Sequence, residues 1–250
     1  MANEPLMPAA GASHRFLRLR TLWQDRVNPK TYLGLHLTVG LILAAVSIWL
    51  FATLLDGVLD NAMLVQLDVA VDAAIHARMT AMDLRLVNLV TQLGSPAAMG
   101  LLGLGGAAIL WRSGHRTTFM GWIAAFAGGA VINQVLKSAV HRTRPEYGAA
   151  YLHGVSYSFP SGHAMGSMIG YGMLAFALRH VWQASRRAHR VANSLLILMI
   201  LAVGLSRVLL GVHYPSDVVG GWAAGVAWMA VCIVGIGIAE QRRADRAGTP

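Results

Sequence analysis

The chain has 250 residues, of which 56% are hydrophobic and only 12% charged. Ordinary soluble domains carry roughly 25% charged residues, so a water-exposed globule is excluded and a one-domain membrane protein is indicated. The net charge of +9 is segregated by segment, so it reads as membrane topology rather than as a nucleic-acid surface.

Residues 1–30 are polar and basic, with Arg15, Arg18, Arg20, Arg26 and Lys30. Phe16, Leu19 and Trp23 follow helical spacing, which suits a segment lying on the membrane surface. The apolar run that follows reaches Leu55. That is too long for a signal peptide, and no small-residue cleavage site precedes Asp56. A retained first span over about 31–55 is therefore expected. Further apolar stretches follow at about 96–112, 117–139, 162–181, 191–210 and 217–239, each close to the ~20 residues that cross a bilayer. The expected fold is all-α, a six-span transmembrane helical bundle over 31–239. It is flanked by the basic segment 1–30 and a tail at 240–250.

Between the first two spans lies a segment of about 56–95 with five aspartates: Asp56, Asp60, Asp68, Asp72 and Asp83. Leu64, Leu67, Val71 and Ile75 recur there at helical spacing. An amphipathic helix is expected, lying on the outer membrane surface or packed against the bundle. Periodicity does not separate the two. Cys232, the only cysteine, sits in an apolar run and acts as a small hydrophobe.

Fourteen of the twenty Lys and Arg fall on one side of this topology: in the N-terminal segment, at Arg112 and Arg116, in the 179–190 loop and at the C-terminus. The positive-inside bias then places both termini in the cytoplasm and the opposite helix mouths outside, across a cytoplasmic (inner) membrane.

Those mouths carry three motifs. The first runs from Lys137 to Arg144-Pro145. Seven residues make two helical turns, which would aim both cations the same way, with Pro145 ending the helix near Arg144. Interfacial cations reaching lipid headgroups have the same look. The second is Pro160-Ser161-Gly162-His163, opening the fourth span. Free N–H groups at a helix start bind anions, and Gly162 lets the backbone approach an oxyanion. A plain helix cap reads similarly. The third holds Ser206-Arg207, His213 and Asp217, broken by Gly211 and Pro215. A carboxylate four residues from an imidazole can hold one ring nitrogen and leave the other free. Asp217 as a helix cap is the simpler reading, and both roles can coexist. Three fixed cations, two histidines and one carboxylate suit phosphoryl transfer through a histidine nucleophile.

Lys137 with Arg144-Pro145, Pro160 to His163, and Ser206-Arg207 with His213 and Asp217 together resemble the type 2 phosphatidic acid phosphatase superfamily. The order and spacing match over 137–217, and the six spans are similar to its bacterial membrane branch. The resemblance implies that His213 is the nucleophile, Asp217 its orienting partner and His163 the general acid and base. It implies that Lys137, Arg144, Ser161, Gly162 and Arg207 hold the phosphoryl oxygens. No cofactor and no metal are expected. Two His and an Asp could ligate iron or zinc, but three adjacent cations disfavour another.

The expected activity is hydrolysis of a lipid phosphate monoester or pyrophosphate at the outer membrane face, with membrane lipids as partners and no nucleic acid. The oligomeric state stays open. One rival is a lipid phosphotransferase using the same phosphohistidine. Another is a lipid-binding or transport protein, which would place its charges at the bilayer midplane in broken helices. The 146–159 loop, with Tyr147, Tyr151, Tyr157 and Phe159, is expected to gate or select the lipid.

Overall fold

The computed structural model describes residues 32–60, 62–148, 151 and 157–248. The basic segment before residue 31 and most of the 149–156 loop lie outside the described residues, and with them the surface-helix reading of 1–30.

Among the described residues the chain is helical without strands. α1 spans Tyr32–Asp60, α2 Ala62–His76, α3 Ala81–Gln92 and α4 Pro96–Arg112. α5 spans Arg116–Val140, α6 Gly162–Val181, α7 Arg186–Leu209 and α8 Pro215–Ala247. Local chemistry sets several starts. Ser95, Ser161 and Ser185 each turn a side-chain oxygen onto the third N–H of the helix that follows. Thr80 and Asp83 form a reciprocal capping box on α3. Pro96 and Pro215 occupy first-turn positions, where a missing N–H costs nothing.

α6 and α8 form the centre. Gly221 and Gly225 let them approach closely. A Cβ at Gly221 would lie 2.6 Å from the Ser161 carbonyl oxygen, and one at Gly225 would meet Met168 at 2.9 Å. α1 packs along α8, α5 against α6 and α8, α7 against α6, and α4 against α5 and α6. The core is made by Leu110, Trp122, Met165, Ile169, Met173 and Ile236. The Trp122 indole N–H donates to the Gly103 carbonyl at 2.8 Å, so even this fully buried ring has its polar atom satisfied.

Five stretches of the described residues are long and apolar enough to cross a membrane: Leu37–Asp60, Ala81–Arg112, Arg116–Val140, Arg186–Leu209 and Pro215–Ala247. α6 is not among them. Its glycines, Ser167, Arg179 and His180 lower its apolarity, and neighbouring helices cover it instead. By contrast α1 turns Leu41, Ile42 and Trp49 outward, a surface suited to lipid.

Three details depart from expectation. α5 stops at Val140, because His141 adopts the left-handed conformation with φ 54°. Helical register therefore does not carry Arg144 round to Lys137; a non-helical segment does. α8 continues to Ala247, so the start of the 240–250 tail is still helix. In the 56–95 segment, α2 packs on α7 and α8, and α3 packs on α7. The buried side of α2 carries Asp68 and Asp72, whereas Leu67 of the apolar stripe is exposed.

Candidate active site

The site is assembled where α5 and α7 end and α6 and α8 begin. α7 closes at Leu209, and Gly211, with φ 65°, reverses the chain. A side chain at Gly211 would press on His76 and Tyr147. The next two residues bring His213 into the interior, 2% exposed. Pro215 then starts α8 and sets Asp217 in its first turn. The Tyr214 N–H donates to Asp217 Oδ2 at 2.9 Å, and His213 Nδ1 lies 3.3 Å from the same oxygen. Cap and orienting contact are thus one carboxylate.

Arg144 approaches the other edge of the imidazole. Its Nη1 lies 3.2 Å from His213 Nε2 and donates to the Val212 carbonyl at 2.7 Å. A guanidinium only donates and an ionised carboxylate only accepts. Both neighbours therefore select the tautomer with its proton on Nδ1 and a lone pair on Nε2.

Lys137, in the last turn of α5, donates to the Tyr157 carbonyl at 2.5 Å, and Arg144 Nη2 donates to that oxygen at 3.2 Å. The first motif is thereby tied to the strand of chain entering the second. Ser161 caps α6, and its backbone N–H donates to the Asp217 carbonyl at 2.9 Å. Gly162 faces the last turns of α5. A Cβ there would sit 3.0 Å from Asn133 Oδ1 and 3.9 Å from Lys137 Cε. His163 follows, in the field of Arg207, His213, Arg144 and Lys137. Arg207, 7% exposed, donates from Nη1 to Thr91 Oγ1 at 2.8 Å, and its Nε has no hydrogen-bond partner among the described residues. All eight residues singled out in the sequence thus meet at one end of the bundle.

Burial, and after it the charges of Arg144, Lys137 and Arg207, hold the His213 imidazole well below its ordinary value. A depressed histidine pKa keeps the neutral form as pH falls. The unfolded chain takes up that proton near pH 6.5, so this residue destabilises the fold on acidification below that pH. Histidine-selective NMR of the protein in detergent should show His213 neutral at pH 6. Titration at the ordinary value would contradict the geometry.

Sequence reading missed Arg142, Asp68, Ser216 and Thr91. Arg142 Nη1 donates to Asp217 Oδ1 at 2.6 Å, and its Nη2 donates to Asp68 Oδ2 at 2.7 Å. The sequence carried no signal for Arg142, because the turn at His141 that redirects the chain shows only in the structure. The loop aromatics divide. Phe159 is fully buried and packs on Phe51 and Gly220, which makes it core. Tyr147 is exposed and stacks on His76 at 4.6 Å, and Tyr157 borders the site through its carbonyl.

A family model described as the PAP2 superfamily matches residues 118–238. The chain is 31% identical over 186 residues to phosphatidylglycerophosphatase B of Bacillus subtilis, covering 72% of this chain and 89% of that protein. It is 33% identical over 134 residues to a lipid A 1-phosphatase of Rhizobium johnstonii, covering 48% of this chain and 50% of that protein. The crystal structure of a transmembrane PAP2-type phosphatidylglycerolphosphate phosphatase from Bacillus subtilis superposes with a TM-score of 0.71 at 24% identity, over 79% of this chain and 96% of that one.

Proposed function

The chain belongs to the PAP2 superfamily, and from that premise we propose that it is a membrane enzyme that hydrolyses a lipid phosphate monoester or pyrophosphate through a phosphohistidine. The observation that carries this reading is the His213–Asp217 pair set among Lys137, Arg144 and Arg207, with a helix N-terminus facing the same space. Phosphatases for phosphatidylglycerol phosphate and for lipid A among its relatives support a lipid as substrate.

In the first step His213 Nε2 attacks phosphorus, the phosphorus–oxygen bond to the lipid breaks, and His163 gives its proton to the departing oxygen. Asp217 keeps the Nδ1 proton in place and balances the charge that the ring acquires. Arg144 turns from Nε2 to a phosphoryl oxygen. Lys137, Arg207, the Ser161 hydroxyl and the N–H groups at Gly162 hold the others, where charge is spread in the transition state. In the second step His163 takes a proton from water. The hydroxide attacks phosphorus, the nitrogen–phosphorus bond breaks, and inorganic phosphate leaves. Each step of this sequence is assigned to residues of the chain, and the proposal calls for no metal.

The topology proposed has six spans, counting the enclosed α6 as one of them, with both termini cytoplasmic. The site lies at the bundle end opposite Arg112, Arg116, Arg186, Arg187 and Arg190, and so faces outward by the positive-inside bias.

Phosphate release from a panel of lipid phosphates and pyrophosphates, in detergent with a chelator, tests the reading. Release is expected at the same rate with and without the chelator. Release only after metal addition would overturn the metal-free step. A phosphorylated acceptor in place of free phosphate would make the protein a transferase.

A further inference from the structure

Behind the His213–Asp217 pair lies a second carboxylate. Asp68 comes from α2, ahead of the residues that the family model matches. It is 2% exposed, in a chain otherwise sparing of charge. A buried carboxylate is costly unless well paired, and Asp68 is paired on both oxygens. Its Oδ1 accepts from the Ser216 backbone N–H at 3.1 Å, in the first turn of α8. Its Oδ2 accepts from the Ser216 hydroxyl and from Arg142 Nη2. Arg142 Nη1 in turn donates to the Ser216 hydroxyl at 2.8 Å and to Asp217 Oδ1 at 2.6 Å. The Arg142 guanidinium also lies over the Tyr214 ring, 4.4 Å from its centroid. One arginine therefore bridges two carboxylates, and one of those holds the imidazole.

We propose that Asp68 is a positioning residue for the His213–Asp217 pair, acting through Arg142 and Ser216. Two consequences follow from the geometry. First, Asp68 fixes the start of α8, so Asp217 meets Nδ1 at a set distance. Second, it shares the charge of Arg142. Arg142 with Asp217 alone is a neutral pair. With Asp68 the cluster keeps one net negative charge, and Asp217 retains its pull on the imidazolium that forms during phosphoryl transfer. α2 is thus a working part of the site rather than only a covering helix.

This inference rests on the phosphohistidine reading. Its test compares kcat and KM of wild type, Asp68→Asn, Asp217→Asn and the double variant on whichever lipid phosphate of the panel is turned over fastest, with His213→Ala as control. Asp68→Asn should lower kcat about tenfold to a hundredfold, the size of effect seen when a partner that orients a metal-ligating residue is removed. KM should stay near the wild-type value, and Asp68→Glu should restore part of the rate. In the Asp217→Asn background the same change should cost nothing further. A wild-type kcat for Asp68→Asn, or an equal loss in both backgrounds, would overturn the inference. If Asp68→Asn does not fold, Arg142→Lys takes its place. A lysine offers one nitrogen where the guanidinium offers one to each carboxylate, so kcat should again fall with KM held, and an unchanged kcat would overturn the inference. Full activity in His213→Ala would instead defeat the phosphohistidine reading itself, and a wild type that releases no phosphate removes both.

Discussion

Replacing His213 with alanine should abolish phosphate release, with a fall in kcat on the order of 10⁴ or more, as expected when the group that forms the covalent intermediate is lost. Nε2 is the one nitrogen of the pair left with a lone pair, because Asp217 occupies the Nδ1 side. The imidazole is 2% exposed and held between α7 and α8. Lys137, Arg144 and Arg207 remain in the variant, so lipid phosphate should still bind and KM should change little. Loss of kcat with binding retained is the signature of a nucleophile. Loss of binding alone would assign His213 to the phosphate cradle instead.

Replacing His163 with alanine should lower turnover of lipid phosphates about 10²–10⁴-fold, the usual worth of a well-placed acid or base. The loss should depend on the leaving group. A lipid alkoxide needs a proton as it departs, whereas nitrophenolate does not. With p-nitrophenyl phosphate the first step should therefore survive in His163→Ala, while water still lacks a base in the second. A burst of nitrophenol followed by slow turnover is expected, with phosphoenzyme accumulating. An equal loss on both substrates, without a burst, would remove His163 from the acid role.

The three motifs could be read in the chain because their chemistry is local. Ser161 caps the helix it precedes, and Asp217 sits one helical turn from His213. The helices were legible too, since α4, α5 and α6 begin and end within a residue or two of the apolar stretches. What escaped depends on contacts between distant segments. Asp68 is buried because α2 docks on α7 and α8, and a stripe traced through Leu64, Leu67, Val71 and Ile75 counts only apolar residues. A carboxylate on the buried side of a helix becomes visible only with its partner, Arg142, seventy-four residues away in the chain. Arg142 escaped for a second reason. The Lys137-to-Arg144 spacing suggested continuous helix, and His141 breaks it with a left-handed turn that no Gly or Asn announced. α6 reads as an ordinary span, yet it is the enclosed helix, with small residues where α8 crosses it.

The most direct measurement is to trap the intermediate. His163→Ala protein in detergent would be mixed with p-nitrophenyl phosphate carrying radioactive phosphorus, quenched in alkali, digested, and its peptides mapped. Phosphohistidine survives alkali and is lost in acid. Label on the peptide carrying His213, absent when His213 is also replaced by alanine, is the predicted result. Nitrophenol release with no label on the protein, or label that persists without His213, would contradict a phosphohistidine at this site.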